Sequence, residues 1–164
     1  MSSSPDPVTD VHVHVHLAVT GSFPLRVADL LFTNEAVVVP EYDHLTPVFG
    51  LLAGGTERAS ERARKRYRED GLAGLVEAAE RVHRVPYDDV SVVRLSVSRI
   101  ARPKLAVEPA DAVPYAYRVH APIEVDPLFD ALQSLGERRG FDVERRSEIG
   151  YDPVDSVRRF LSGR

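Results

Sequence analysis

The chain has no cysteine and no tryptophan, a single methionine, and lysine only as Lys65 and Lys104 among its 164 residues. Without cysteine it forms no disulfide, thiolate metal site, iron–sulfur ligation or cysteine nucleophile, which fits a reducing, cytoplasmic setting. Its stability must come from packing, and a chain of this length can bury one real core. Long apolar runs are lacking too. The longest away from the strands, Leu45 to Ala53, falls far short of the roughly 20 residues that a membrane-spanning helix needs. Met1 to Thr9 has neither a basic start nor an apolar stretch, so it reads as a disordered leader, not a signal peptide, with residues 10–164 as one domain.

Charge of one sign is missing as well. The 21 basic and 25 acidic residues leave a net −4, so no global field favours nucleic acid. Arginine supplies 19 of the 21 cationic residues, a bias suggesting a GC-rich genome or a halophilic source, although −4 is mild for a salt-adapted surface.

What is present is periodicity. From Asp10 to Val19 the residues Val11, Val13, Val15, Leu17 and Val19 alternate with Asp10, His12, His14 and His16, the pattern of a half-buried strand. Ala28 to Thr33 and Ala36 to Tyr42 are two further β-rich runs joined by Asn34-Glu35, which predicts a tight hairpin. Pro40 lacks an N–H, so its strand should lie at an edge or break its pairing there.

Between Leu45 and Arg84 the period becomes helical, with glycines as punctuation, and predicts a two-helix insertion. Thr56 would cap a largely solvated helix over Glu57 to Glu69. Leu72, Leu75, Val76, Ala79 and Val82 would form the apolar stripe of a second. The strand period returns at Val90 to Val97, Lys104 to Glu108, and Val113 to His120, where Val113, Tyr115, Tyr117 and Val119 share a face. Asp126 and Pro127 then open a closing helix over 126–139, with Leu128, Phe129, Leu132 and Leu135 on its apolar side and Gly140 as its stop. Asp152-Pro153 repeats the start signal for a C-terminal helix over 153–162. Strands grouped around a helical insertion, with no βαβ alternation, predict an antiparallel α+β fold.

Leu30 to Val39 reads Leu-Leu-Phe-Thr-Asn-Glu-Ala-Val-Val-Val. This wording resembles the strand, Thr-Asn, strand hairpin of prokaryotic pleckstrin-homology-like (PH-like), GRAM-like domains. Val85 to Val93, Val-Pro-Tyr-Asp-Asp-Val-Ser-Val-Val, is similar to their proline-tyrosine-acidic strand. Tyr115 to Val119 and the helix from Asp126 resemble their last strand and closing helix. The resemblance implies a bent, partly open barrel plugged by that helix, and a domain that binds lipids or proteins. The segment 45–84 and the residues after Gly140 depart from the family pattern.

One cluster has ligand-like spacing. His12, His14 and His16 share one strand face at about 6.6 Å per step, so two imidazoles could hold zinc or copper, with a further donor from Asp10 or a neighbouring strand. Asp-x-His-x-His also resembles the first metal strand of amidohydrolases, but the chain is too short, and alternates too little, for a (β/α)₈ barrel. The plainer reading puts these histidines on the polar side of a strand whose valines fill the core. On protonation they would repel one another, making the strand pH-sensitive.

Two other surfaces stand out. Arg58, Arg62, Lys65 and Arg66 could clamp an anion or partner, although Glu57, Glu61, Glu69 and Asp70 dilute them into a salt-bridged helix face. Val48, Phe49, Leu51 and Leu52 form an apolar segment that either covers the core or, if exposed, contacts a partner or a membrane interface. The expectation is a non-enzymatic binding or scaffold module recognising a protein or a membrane surface, peripheral to the membrane in the second case. The alternative is a metal-binding protein, regulatory or hydrolytic, built on the histidine strand.

Overall fold

The computed structural model describes residues 9–21, 25–45 and 54–148. Val48, Phe49, Leu51 and Leu52, the helix expected over 153–162 and the leader up to residue 8 lie outside the described residues.

The elements run β1 (Val11–Thr20), β2 (Leu25–Thr33), β3 (Ala36–Leu45), α1 (Gly55–Ala78), β4 (Arg81–Pro86), a 3₁₀ turn (Tyr87–Asp89), β5 (Val90–Ser98), β6 (Lys104–Pro109), β7 (Tyr115–Val119), α2 (Val125–Arg139) and β8 (Asp142–Glu148). The strands form one eight-stranded sheet in the order β4-β3-β2-β1-β7-β6-β5-β8. Every pairing in it is antiparallel except β5 with β8, which is parallel. The fold is therefore α+β and mostly antiparallel, as the strand grouping predicts. Two strands were not foreseen. Residues 81–84, expected to end a helical insertion, open β4, so Val82 belongs to a strand and the helix stops at Ala78. Residues 142–148 pair with β5.

The main core lies on one face of the sheet, where a single cluster gathers Val13 and Val15 of β1, Leu30 and Phe32 of β2, Val93 and Leu95 of β5, Leu105 and Val107 of β6 and Tyr117 of β7 around Leu132 and Leu135 of α2. Leu128 and Phe129 of α2 pack against it half-buried. The helix starts at Val125, one residue earlier than expected. Asp126 thus falls in its first turn, where it pairs with Arg145 at 2.5 Å, and does not cap it. Gly140, at φ 85°, closes the helix in the left-handed conformation, as its position predicts. A side chain at Gly136 would stand 2.6 Å from the Phe141 carbonyl oxygen, so the approach of α2 to β8 requires glycine there.

The opposite face of β1, β2 and β3 is covered by α1. Ala59 packs with Val19 and Val27, and Ala63 and Leu75 pack with Leu31. The helix starts at Gly55 with no side-chain cap, so Thr56 is not its N-cap. Gly71, at φ 61° and ψ −146°, breaks it into the two expected segments. The first is less solvated than its charge suggests, since Ala59, Ser60 and Ala63 are buried.

Local irregularities in the strands decide what faces α1. Register shifts at Val11/Val13 and Val15/Ala18 interrupt β1. Only Val13 and Val15 of the alternating residues enter the main core; Val11, Leu17 and Val19 lie on the α1 side. Pro40 sits in an interior strand, and the β2–β3 partners pass from Ala28–Glu41 to Leu31–Val38, leaving the ladder open around it. Val113, expected on the β7 face, lies outside the strand and is 82% exposed.

Candidate functional site: a buried carboxylate between two histidines

Asp29 lies in β2 among Ala28, Leu30 and Leu31, and it is fully buried. Alternation turns Ala28 and Leu30 into the main core and Asp29 toward α1. Its carboxylate accepts four hydrogen bonds. His14 Nε2 stands 2.6 Å and His16 Nδ1 3.0 Å from Oδ2. The Leu17 amide donates to Oδ1 at 3.0 Å, and the Tyr42 hydroxyl donates to the same oxygen at 2.8 Å.

The β1 bulge makes this possible. Leu17 adopts φ 53°, a left-handed conformation that costs a non-glycine residue about 1–2 kcal/mol. In this conformation its N–H points to Asp29, a charge-assisted bond that offsets part of the cost. A second irregularity, between Val27 and Ala28 in the β2–β3 pairing, sets Tyr42 on the α1 side.

Helix α1 closes the cluster. His16 Nε2 lies 2.8 Å from Ser60 Oγ, and the Tyr67 ring lies over His14 with centroids 4.5 Å apart. Burial opposes the charge on Asp29, yet hydrogen bonds and charge from His14 and His16 outweigh it and hold the carboxyl below the usual carboxylate range. Burial, reinforced by the Asp29 charge, pushes the Tyr42 phenol well above its usual range. Asp29 is thus an ionised acceptor, and Tyr42 donates to it.

The donor atoms of His14, His16 and Asp29 all lie within 4.8 Å of one another. The structure therefore brings together two of the three histidines singled out by spacing and adds a carboxylate from the neighbouring strand. His12 is exposed and outside the group, as is Asp10. Ser60, His16 and Asp29 form a hydroxyl–imidazole–carboxylate chain in the order used by serine hydrolases. However, Ser60 is 7% exposed on the sheet-facing side of α1, and an acyl substrate reaching its Oγ would have to displace the helix. Here the hydroxyl clamps the helix to the sheet.

A second buried carboxylate occupies the other face. Glu41 Oε1 accepts from the Tyr117 hydroxyl at 3.0 Å and lies 3.2 Å from His83 Nε2, and Oε2 lies 3.4 Å from Arg26. His83, which looks isolated in the sequence, is half-buried against Glu41 and the Tyr115 ring. His44 pairs with Glu80 at 2.9 Å. His120 has its pKa lowered by burial and by Arg102 and Arg118.

The expected anion-binding residues Arg58, Arg62, Lys65 and Arg66 are all exposed on α1. Arg62 pairs with Asp43, and Lys65 lies 3.9 Å from Glu69. Arg64 and Arg68, which were not singled out, extend the same basic turn. Asp29 and Glu41 were also passed over, although a lone carboxylate inside an apolar run such as Val27 to Phe32 is itself a signal of a buried polar partner. Nothing in the sequence around Ser60 marks it.

A mostly antiparallel sheet with one helix on each face defines a small α+β domain. No family model and no curated protein matches the chain. Among solved structures it is similar to the hSac2 domain from human phosphoinositide phosphatase Sac2, with a TM-score of 0.50 and 10% identity, over 91% of this chain and 82% of that one. At that identity the likeness is one of fold.

Proposed function

We propose that the chain is a non-enzymatic, PH-like binding module that uses the outer face of α1 to recognise an acidic surface on a partner protein or a membrane. One observation carries this reading: Arg62, Arg64, Lys65, Arg66 and Arg68 fall within two turns, all exposed, with no acidic residue among them. The acids that dilute the helix, Glu57, Glu61, Glu69 and Asp70, flank this run on both sides. The helix is also anchored to the sheet, by Ala59, Ala63 and Leu75 and by the Ser60–His16 bond, so the backbone of its basic turn needs no ordering at binding. No described helix is long and apolar enough to cross a membrane, which suits an attachment made from the surface.

The test uses the full chain beside an Arg64→Glu/Arg66→Glu variant. Flotation with vesicles containing an anionic lipid, against neutral vesicles, reads membrane attachment, and cross-linking in cell extract reads a protein partner. Loss of either interaction in the variant supports the reading. Native binding in both assays by the variant would remove α1 from the account.

A further inference from the structure

We propose that His14 Nε2, His16 Nδ1 and Asp29 Oδ2 are the ligands of a first-row divalent cation held between β1, β2 and α1. Two imidazole nitrogens and one carboxylate oxygen are the donor set of zinc, iron or copper, unlike the all-oxygen shells of calcium and magnesium.

The case rests on how the atoms are anchored. The three candidate ligand atoms face one another within 4.8 Å, and most of the atoms behind them are held from outside. His16 uses its other nitrogen on Ser60. Asp29 uses its other oxygen on the Leu17 amide and the Tyr42 hydroxyl. Pinning of the non-ligating atoms is the arrangement that outer partners give to metal ligands.

Charge points the same way. Asp29 is fully buried, and among the described residues no arginine or lysine bonds or pairs with it; its partners are two imidazoles, an amide and a phenol. An interior carboxylate requires a positive partner. A dication held by the three donor atoms supplies one. Donors bound at about 2.0–2.2 Å stand roughly 3.0–3.5 Å apart, so the 3.0 Å from His16 Nδ1 to Asp29 Oδ2 already fits and the 2.6 Å from His14 Nε2 must lengthen by about half an ångström. His14 can do so, because its side chain is 22% exposed.

His12 separates this site from a bare histidine strand. Adventitious binding to alternating histidines would use His12 and His14 as readily as His14 and His16, whereas the structure leaves His12 exposed and outside the group.

The experiment titrates the tag-free full chain, stripped by chelator, with Zn²⁺ by calorimetry and with Co²⁺ by visible absorption. The expected result is one ion per chain, with a Co²⁺ spectrum of nitrogen and oxygen ligation and a rise in Tm of about 5 °C or more at saturating Zn²⁺. His12→Ala should bind like the native chain. His16→Ala and Asp29→Asn should lose the ion, and Tyr42→Phe should bind about 10–100-fold more weakly. Circular dichroism of each variant separates lost binding from lost folding, and the native chain's own Tm shift needs no variant. A native chain that binds no ion, equal losses from His12→Ala and His16→Ala, or full binding by folded Asp29→Asn would each overturn the proposal.

Discussion

At the scale of single residues, the molecule is governed by two carboxylates that its sequence does little to advertise. Asp29 accepts from four donors, all of which lose this acceptor if the carboxylate is removed. Asp29→Ala should therefore cost about 3–5 kcal/mol in urea unfolding, the range for breaking a buried charged network. Exposed His12→Ala should stay within about 0.5 kcal/mol of the native chain. A second consequence concerns alkaline pH. Burial and neighbouring carboxylates push the phenols of Tyr42 and Tyr117 well above their usual range, and burial pushes Tyr87 up to about 12. A pKa raised by folding gives stability that is complete below the unfolded value, near pH 10, and is lost as pH climbs toward the folded one. Stability should thus fall from about pH 10 upward, by about 1.4 kcal/mol per pH unit for each buried tyrosine. Tyr117→Phe should flatten that slope by one such increment, as read from unfolding curves between about pH 10 and 12. Of this residue-level picture, the sequence made the histidines visible through their alternation. It hid Asp29 and Glu41, because a carboxylate's partners come from strands and helices that only tertiary pairing brings near.

At the scale of elements, periodicity located β1, β2, β3, β5, β6, β7 and α2, because each carries a regular run of apolar residues. It failed where a segment's burial is set by its neighbours. β4 reads Arg-Val-His-Arg-Val-Pro, and β8 reads Asp-Val-Glu-Arg-Arg-Ser-Glu; both lie at sheet edges and carry too few apolar residues to announce a strand. Charged edges of this kind discourage pairing with other chains. The alternation of β1 misled for a different reason. Its bulges move Val11, Leu17 and Val19 to the other face, and a bulge leaves no trace in a run of valines. The α2–β8 contact offers a direct test of how tightly these elements meet. A methyl group at Gly136 would stand 2.6 Å from the Phe141 carbonyl and 2.9 Å from Val143 Cγ2. Gly136→Ala should cost about 1–3 kcal/mol, or roughly 3–10 °C in Tm, by forcing α2 away from β8. Leu75→Ala should cost about 2–4 kcal/mol by hollowing the contact between α1 and Leu31.

At the scale of the whole molecule, the net charge of −4 conceals a separation of charge. The middle of α1 concentrates five exposed basic residues, while Asp10, Asp70 and Glu77 border the groove beside its second segment with Arg84. A partner meeting this surface feels the local field, because at physiological ionic strength charges more than about 8 Å away are screened. Binding through the basic turn should therefore weaken steeply with added salt although the protein as a whole is acidic. An interface held by the apolar residues of α1 would be nearly indifferent to salt, and it would in any case have to unseat Ala59, Ala63 and Leu75 from the sheet. The vesicle assay repeated between 50 and 300 mM salt separates the two. A loss of binding with rising salt, together with a flatter salt response for Arg64→Glu/Arg66→Glu, is the outcome expected if α1 reads an acidic surface. A salt response identical in both proteins would place recognition on another face of the sheet.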